Sequence, residues 1–459
     1  MYSSVFRRTI GSDTGKCSEI VAITPRWLLT RSVRIHVFLG NDRIKQRIAI
    51  LGGSASFEEP LHVGAPNQGS REQFLSLIND VLDRNWLTNN GPLVQQFEAE
   101  IAKISGVKHC IAMANGTFAL QAAVRACRLT GEVIVPSFTF VATAHALSWQ
   151  GVRPVFCDVD PVTHTLDVEA VERCITSKTS GIIGVHLWGV PCDTPSLARI
   201  AAKHDLTLMY DAAHAFGCRL KGRPIGSFGR CEVFSFHATK FVQSGEGGAV
   251  VTNDDELAEQ LRFMRNFGFR RSDDVVDVGI NGKMNELSAA MGLTSLHSLP
   301  HFVEINRANF EHYRTALKEI DGLSMFVPRA DQVSNYQYAV AMVDPSVCPL
   351  NRDQLVCCLH AENVMARRYF YPGLHRMDAY QRNPESRLPS VQLPVTEHLS
   401  DEVLVLPTGT RTTSGQIEKI ADVIRSAVKN AGEVKQAILK QRLTPDSVRI
   451  VHDFRGPIA

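Results

Sequence analysis

Short apolar segments alternate with segments of helical periodicity from about Leu61 onward, and this alternation most constrains the fold. Apolar runs such as EVIVP (132–136), SGIIGVHLWG (180–189) and LTLMY (206–210) are separated by helical patterns such as TFVATAHALSWQ (139–150). Strands that are apolar on both faces and joined by helices predict an α/β fold with a mostly parallel sheet flanked by helices. Ligands of such sheets collect beyond the carboxyl ends of the strands, so polar residues directly after the apolar runs are the functional candidates.

The chain divides into regions of different sequence texture. The first 50 residues carry nine Lys or Arg against three Asp or Glu and show no regular pattern. We therefore expect residues 1–60 to form a poorly ordered extension. The alternating region, 61–300, predicts a large domain, the mixed region 301–432 predicts a smaller C-terminal α+β domain, and the polar stretch 433–459 is expected to be a tail. A chain of 459 residues is long enough for such a division.

Charge, hydropathy and cysteine usage argue against several classes of protein. A net charge of +2 gives no reason to expect a nucleic-acid partner, and no apolar run approaches the roughly 18 residues of a membrane span. The eleven cysteines include no Cys-x-x-Cys pair and accompany no paired histidine spacing, so we expect no metal site. Reduced, buried thiols explain them best, and we expect a cytoplasmic protein.

A possible anion site follows the apolar run HCIAMA (109–114). Asn115, Gly116 and Thr117 form a turn that leads into the helical pattern FALQAAVRAC. The free backbone N–H groups and the positive dipole end at the start of such a helix attract phosphate. Asn and Thr are also ordinary capping residues, so the turn alone leaves a simple helix cap as the alternative.

Asp211 ends the apolar run LTLMY and is followed closely by His214. A carboxylate at the end of such a strand needs a cationic or hydrogen-bonding partner, because leaving it unpaired is costly. It could pair with a protonated ring nitrogen, or it could cap a helix over AAHAF. His214 could pack across a ring or be a satisfied core histidine.

Lys240 lies in SFHATKFVQSGEGGAV (235–250), between an apolar strand and a glycine-rich turn. A partly desolvated lysine at a strand end has a lowered pKa and can act as an amine nucleophile. The alternative is a lysine that bonds a carbonyl group or extends to water. Together, an anion turn, a carboxylate for a pyridinium nitrogen and an amine for an aldehyde are the groups that pyridoxal phosphate requires.

Eight motifs then connect the chain with a known family. They are GPLVQQFE, ANGTFAL, VPSFTFVATAHAL, PVFCDVD, DAAHAFG, SFHATK, GEGGAVVTND and NGKMNELSAAMGL, in this order. With them the chain resembles the DegT/DnrJ/EryC1/StrS family of sugar aminotransferases. The resemblance implies a fold-type I transferase, aspartate aminotransferase-like, with pyridoxal 5′-phosphate as cofactor and a homodimer with shared active sites.

The resemblance also implies roles for individual residues. Lys240 would bond the aldehyde of the cofactor, Asp211 would hold its pyridinium nitrogen, and His214 would lie near the ring and its 3-hydroxyl. The phosphate would be bound by the turn and by one strand residue, that is by Asn115, Gly116, Thr117 and Ser235.

Further positions match the family near the ring, the dimer interface and the substrate. Phe140 would stack on the cofactor ring. Asn281 would reach the phosphate of a neighbouring subunit, although this chain has G-I-N-G where relatives often have G-Y-N-Y. Arg367 and Arg368 could pair with a sugar-nucleotide diphosphate, or could be a solvated pair on a loop. His375 could lie near the substrate or be a structural loop histidine.

The implied reaction moves an amino group from glutamate to a nucleotide-linked keto-sugar. Segments such as RNWLTNNGP and ARRYFYPG resemble the subgroup that aminates C4 of dTDP-4-keto-6-deoxyglucose. Amination at C3, or of another keto-sugar or inosose, is the alternative. A 3-dehydratase, which would carry His in place of Lys240, and a non-catalytic sugar-nucleotide-binding relative are disfavoured because Lys240 and Asp211 are both present. Glu246 receives no role from the sequence.

Overall fold

Helices and strands alternate through most of the chain, as the sequence predicts; the structure is a computed structural model that describes residues 47–382 and 392–450. The α-helices are α1 (Arg71–Arg84), α2 (Pro92–Ser105), α3 (Gly116–Ala126), α4 (Val141–Ser148), α5 (Val168–Cys174), α6 (Thr194–Lys203), α7 (Asp255–Met264), α8 (Glu286–His297), α9 (Leu299–Leu317), α10 (Arg352–Ala361), α11 (Asp378–Gln381), α12 (Pro394–Glu402), α13 (Ser414–Lys429), α14 (Ala431–Gln441) and α15 (Pro445–Ile450). The strands are β1 (Leu61–His62), β2 (His109–Met113), β3 (Glu132–Pro136), β4 (Arg153–Cys157), β5 (Thr179–Val185), β6 (Thr207–Asp211), β7 (Arg219–Leu220), β8 (Arg223–Pro224), β9 (Glu232–Ser235), β10 (Gly248–Thr252), β11 (Phe269–Arg271), β12 (Asp274–Val275), β13 (Leu323–Met325), β14 (Gln332–Val333), β15 (Ala339–Val343), β16 (Val364–Met365) and β17 (Val403–Leu406). Short 3₁₀ helices cover Ala49–Leu51 and Leu374–Arg376.

The central sheet has seven strands in the order β2-β10-β9-β6-β5-β3-β4. The pairs β9·β6, β6·β5, β5·β3 and β3·β4 are parallel, whereas β10 is antiparallel to both β9 and β2. This confirms the prediction of a mostly parallel sheet. The exception has a local cause, because the segment that joins β9 to β10 contains no crossover helix, and strands joined without a crossover pair antiparallel.

The sequence explains where the flanking helices begin and how they pack. The side chains of Asp167, Asp193, Asp254 and Asn285 each accept a hydrogen bond from a backbone N–H three residues later, and so cap α5, α6, α7 and α8. The strands β3 and β10 are buried along their whole length. Apolar side chains project from both faces of the sheet. On each face they pack with apolar side chains of the covering helices and form a hydrophobic core.

A smaller antiparallel sheet has three strands in the order β13-β15-β17. The helices α9, α10 and α13 pack on it around a core that includes Val343, Leu355, Leu404 and Ile420. The long helix α9, which follows α8, contributes Phe310, Tyr313 and Leu317 to this second core. The domain boundary near residue 300 stays a prediction.

Residues 47–60, which were expected to belong to a poorly ordered extension, pack against the small domain. Ile48, Ile50 and Phe57 are buried in its core. The carboxylate of the buried Glu362 accepts hydrogen bonds from the backbone N–H groups of Ala49 and Ser56, both at 2.6 Å. The expectation is therefore wrong for this segment, because its apolar residues pack into this core and two of its backbone N–H groups find an acceptor more than 300 positions away in sequence.

The C-terminal residues that were expected to be a tail include the helices α14 and α15. Val434 and Val448 of these helices are buried in the core of the small domain. Residues 433–448 are therefore part of that domain. Residues 1–46 and 451–459, on which the rest of the extension and tail predictions fall, lie outside the described residues.

Replacing Glu362 by Ala should destabilise the fold. The substitution removes the buried carboxylate that accepts from the N–H groups of Ala49 and Ser56, so we expect the free energy of unfolding to fall by roughly 1.5–3 kcal/mol. Urea denaturation measures the change. Glu169→Ala is the matched control, because the Glu169 side chain is 90% exposed and should change stability by less than about 0.5 kcal/mol. Equal stability of the two variants would contradict the role of Glu362.

The described cysteines are free thiols, and all but Cys174 are buried. Among residues 47–382 and 392–450, no helix combines the length and apolar character needed to cross a membrane.

Candidate active site

The strands β9, β6, β5 and β3 end at one edge of the central sheet, and a cavity of about 720 Å³ lies there. This volume is within the range of about 300–1,000 Å³ that is usual for small-molecule sites. Every residue that the sequence analysis assigned to a cofactor lines the cavity: Asn115, Gly116, Thr117, Phe140, Asp211, His214, Ser235, Lys240 and Asn281.

The turn at the start of α3 forms one end of the cavity. Asn115 caps the helix, since its side chain accepts a hydrogen bond of 2.8 Å from Phe118 N. The cap and the anion site are compatible, because the first N–H groups of a helix have no acceptor within it. Ser235 lies beside the turn, and a Cβ on Gly116 would be only 2.8 Å from the Ser235 Cβ. A glycine is thus required where the first turn of α3 approaches β9.

Asp211 lies at the floor of the cavity and is only 5% exposed. Its Oδ2 accepts a hydrogen bond of 2.8 Å from Thr143 Oγ1, and its Oδ1 accepts one of 3.1 Å from Ala213 N. Burial raises the pKa of Asp211, while these two bonds and the charges of Lys240 and His186 lower it. The alternative of a helix cap is wrong, because residues 212–217 form turns and no helix.

Lys240 is held in a tight connection between β9 and β10. Phe236 and Phe241, on either side of it, are buried in the core, and Phe236 N donates to Gly247 O at 2.8 Å to close the connection. The lysine side chain lines the cavity. Burial lowers its pKa, and the negative charge of Asp211 acts in the opposite direction. The carboxylate whose charge acts on Lys240 is thus supplied by a different strand, β6.

His214 stands in an aromatic wall that the small domain supplies. Its Nε2 lies 3.4 Å from Tyr338 Oη, and its ring is nearly parallel to that of Phe370 at a centroid distance of 6.0 Å. Tyr369 stacks in turn on Phe370 at 5.0 Å. Burial, followed by the charge of Lys240, lowers the pKa of His214 well below its usual value, so a neutral imidazole lines the cavity.

Sequence reasoning missed Tyr338, Tyr369 and Phe370. All three line the cavity. For Tyr369 and Phe370, the aromatic run in RRYFYPGLH is the sequence signal, whereas the arginines and the histidine of that segment do not line the cavity.

Phe140 and Asn281 lie on the outer wall of the cavity. Phe140 immediately precedes α4 and is 49% exposed as a residue, which leaves a flat apolar surface available to a ligand. Asn281 lines the cavity of its own chain. The second departure from G-Y-N-Y, at Gly282, has a steric reason, because a Cβ there would come within 1.7 Å of the Phe118 ring.

Arg367, Arg368 and His375 do not line the cavity. Arg368 forms ion pairs with Asp446 at 2.9 Å and Asp353 at 3.6 Å. The backbone of Arg367 pairs with that of Val405.

His375 is buried, with Nδ1 2.7 Å from Ser137 Oγ and Nε2 3.2 Å from Glu397 Oε1. These contacts favour the structural alternative for His375. Two interpretations of the arginine pair were open, a partner for a diphosphate and a solvated pair on a loop. The ion pairs of Arg368 with Asp353 and Asp446 match neither of them.

Glu246, which had no predicted role, lies on the cavity wall. Its carboxylate is 3.6 Å from His237 Nε2, and its side chain is 64% exposed. It therefore presents an accessible negative charge to whatever occupies the outer part of the cavity.

Pyridoxal phosphate carries an aldehyde, a phosphate and a basic ring nitrogen, and each has a chemical complement on this wall. The amine of Lys240 suits the aldehyde, the helix start beside Ser235 suits the phosphate, and the buried carboxylate of Asp211 suits a protonated ring nitrogen. The fold and the site thus define the class of pyridoxal phosphate-dependent transferases.

Comparison with known proteins places the chain within that class. The model of the DegT/DnrJ/EryC1/StrS aminotransferase family matches residues 68–425. The dTDP-4-amino-4,6-dideoxy-D-glucose transaminase of Shigella dysenteriae is 38% identical over 369 residues, which are 80% of this chain and 99% of that enzyme. A 3-aminotransferase for UDP-N-acetyl-3-dehydro-α-D-glucosamine from Acidithiobacillus ferrooxidans is 34% identical and covers 77% of this chain and 94% of its own length.

Solved structures agree with this result. The crystal structure of DesI in the presence of its TDP-sugar product has a TM-score of 0.81 and 43% identity, and covers 86% of this chain and 99% of DesI. The chain therefore belongs to the DegT/DnrJ/EryC1/StrS aminotransferase family, whose members depend on pyridoxal phosphate. The predicted fold-type I architecture and the prediction of a sugar aminotransferase are confirmed.

Proposed function

We propose that the protein transfers the amino group of glutamate to C4 of dTDP-4-keto-6-deoxyglucose. The cavity at the strand ends, with Lys240 and Asp211 on one wall, is the observation that carries an aminotransferase reaction. The choice of C4 and of a dTDP sugar is supported by the similarity to the S. dysenteriae transaminase and to DesI.

The residues of the cavity fit the cofactor at three points. The N–H groups of Gly116 and Thr117, with Ser235 and the Asn115 cap, would bind its phosphate, and Asp211 would keep its ring nitrogen protonated. Phe140 would cover one face of the ring, and His214 would lie beside it. When bound, pyridoxal phosphate supplies an electron sink that stabilises negative charge at the reacting carbon.

Lys240 would act in both half-reactions. Its Nζ would be a free amine while an amino donor is bound, and burial keeps that amine from holding a proton as tightly as an exposed lysine does. The amine would take a proton from the α-carbon of glutamate in the first half-reaction, and in the second it would give a proton to the sugar carbon that receives the amino group. 2-Oxoglutarate and the 4-amino sugar are the products.

A substrate panel tests this proposal. The purified protein, loaded with pyridoxal phosphate, is incubated with glutamate and either dTDP-4-keto-6-deoxyglucose, a 3-keto sugar nucleotide or a UDP-linked keto-sugar, and the product is identified by mass spectrometry and NMR. We expect amination of the first compound only. Lys240→Ala is the control for non-enzymatic amination.

The alternative substrate has one specific observation in its favour, which is the 34% identity to the 3-aminotransferase of A. ferrooxidans. Amination only of the 3-keto or UDP-linked compounds would refute C4 amination and support that alternative. Binding of a sugar nucleotide without any turnover would instead indicate a non-catalytic relative.

Replacing Gly116 by Ala tests the phosphate site. The added Cβ must displace Ser235 or the first turn of α3, so we expect the affinity of the apoenzyme for pyridoxal phosphate to fall roughly tenfold, or about 1.4 kcal/mol. Spectroscopic titration measures it. Gly415→Ala, at the exposed start of α13 with nothing within 4 Å of the added atom, is the control. Unchanged affinity in Gly116→Ala would argue against a phosphate at this turn.

We also propose a homodimer with shared active sites. Apolar side chains are exposed at and near the mouth of the cavity, among them Trp149 at 81%, Val278 at 68% and Ile280 at 52%. Such a group of exposed apolar residues is typical of an interaction surface. Light scattering on the purified protein tests the proposal, and a monomer at all accessible concentrations would refute it.

A cytoplasmic location is proposed on chemical grounds. The described residues carry ten free cysteines, and thiols persist in reducing compartments. Fractionation of the source cells checks this location.

A further inference from the structure

Thr143 connects the first turn of α4 with the floor of the cavity. It is fully buried, and its Oγ1 lies 2.8 Å from Asp211 Oδ2. Asp211 Oδ1 is bonded separately to Ala213 N at 3.1 Å. Both oxygens of the carboxylate are thus oriented by the protein, one by a side-chain hydroxyl and the other by a backbone N–H.

The direction of these bonds follows from proton counting. An ionised carboxylate can only accept, so the Thr143 hydroxyl must donate to Asp211. Thr143 has then used its one proton, and in its 3.3 Å contact with Thr139 Oγ1 it must accept. Thr139 therefore donates to Thr143, which donates to Asp211. The 3.3 Å contact is longer than a normal O–H···O bond, so Thr139 contributes the weaker step.

This chain of hydroxyl groups matters because Asp211 is buried. A carboxylate out of water is stabilised in its charged form only by groups that donate to it or carry positive charge. Lys240 and His186 are the titratable groups whose positive charge acts on it. The Lys240 amine is, however, needed as an uncharged nucleophile. The support that remains comes mainly from the fixed donors Thr143 and Ala213, because the charge of His186 has the smallest effect of these groups.

We propose that Thr143 is a positioning residue, which holds Asp211 ionised and oriented toward the ring nitrogen of the cofactor, with Thr139 supporting it. The proposal rests on the proposed function, because the role of Asp211 does. It assigns a task to a threonine that the sequence analysis placed only within a helical pattern.

The test compares Thr143→Val with Thr143→Ser. Valine keeps the shape but cannot donate, so we expect roughly tenfold weaker binding of pyridoxal phosphate to the apoenzyme. The acid limb of the kcat/KM profile should also move to higher pH, since Asp211 then keeps its charge only at higher pH. Serine restores the donor and should return both quantities to near the wild-type values. Thr139→Val should show the same changes at smaller size.

Two controls separate this role from a merely structural one. Thr294→Val removes another buried hydroxyl, which bonds Met291 O at 2.8 Å outside the cavity lining, and it should leave cofactor affinity and pH profile unchanged. In an Asp211→Asn background, Thr143→Val should add little further loss, because the partner of the bond is already changed.

Wild-type affinity and pH profile in Thr143→Val, failure of Thr143→Ser to rescue, or a full additional loss in the Asp211→Asn background would each overturn the role of Thr143. If Thr143→Val does not fold, the serine and Thr139→Val variants carry the test. A wild-type protein that binds no pyridoxal phosphate would refute the proposed function itself, which is a distinct result.

Discussion

Replacing Lys240 by Ala should reduce transamination by at least about 10⁴-fold. The variant loses the nucleophile for the cofactor's aldehyde and also the base that moves the proton at the reacting carbon, and general acid–base catalysis alone contributes about 10²–10⁴-fold. The near-visible absorbance of the bound cofactor should change with it, because no protein amine in the described cavity lining replaces Lys240. Steady-state kinetics and absorbance spectra of the purified variant measure both effects.

A matched lysine separates this effect from a general loss of charge. Lys203 is 64% exposed, lies outside the cavity lining and pairs with Glu172, so Lys203→Ala should keep wild-type activity and absorbance. Lys240→Arg keeps a positive charge but cannot bond the aldehyde at neutral pH, and it should be as inactive as the alanine variant. Activity within tenfold of wild type in either Lys240 variant would remove the basis for the proposed mechanism.

The pH dependence of cofactor capture has a definite sign. Only the uncharged amine attacks the aldehyde, so the capture rate of the apoenzyme should rise as pH rises through the pKa of Lys240. Burial lowers that pKa, and the midpoint should therefore lie below the value of about 10.4 for an ordinary lysine. Stopped-flow absorbance with pyridoxal phosphate measures the midpoint. A midpoint at or above the ordinary value would contradict a desolvated lysine.

The fold and the cofactor side of the cavity could be predicted from sequence because their signals are local. Asn115, Asp211 and Lys240 each follow an apolar strand within a few residues, and parallel strands bring such positions to one edge of a sheet. The antiparallel orientation of β10 also has a local cause, because no helix lies between Ser235 and Gly248 to carry the chain across the sheet.

The remaining parts of the site depend on contacts between distant segments. Tyr338 and Phe370 reach the cavity from the small domain. The aromatic run around Phe370 marks a candidate segment, but it does not indicate which of its side chains faces the cavity. Arg368 has the chemistry of a phosphate partner, but Asp446, 78 positions away, binds it instead. Thr143 carries no sequence signal at all, because a threonine within an apolar helical pattern looks the same whether or not a carboxylate lies behind it.

Replacing Asp211 by Asn should lower kcat/KM by at least about 10²–10³-fold while preserving the fold. The amide keeps the volume of the side chain but loses the negative charge that would hold a proton on the cofactor's ring nitrogen, and preorganised electrostatic groups of this kind contribute about that much. Asp211→Glu keeps the charge and should retain more activity than the asparagine variant. Kinetics with glutamate and the keto-sugar measure the loss, and a variant with near-normal kcat/KM would show that Asp211 has no catalytic task.

The stability of the Asp211→Asn variant gives an independent check of the burial of this carboxylate, because burying a charged carboxylate lowers the free energy of unfolding. Burial raises the pKa of Asp211 in the folded protein above the value of about 3.9 expected in the unfolded chain. The folded state then binds the proton more tightly, so the wild-type apoenzyme loses folding free energy as pH rises from the unfolded pKa through the folded one. The amide of the Asp211→Asn variant has nothing to ionise in this range. Relative to wild type, that variant should therefore be more stable at neutral pH than at acid pH in urea denaturation of the apoenzymes. A variant that instead loses relative stability as pH rises would mean that the partners of this carboxylate, Thr143, Ala213 and Lys240, more than offset the burial of its charge.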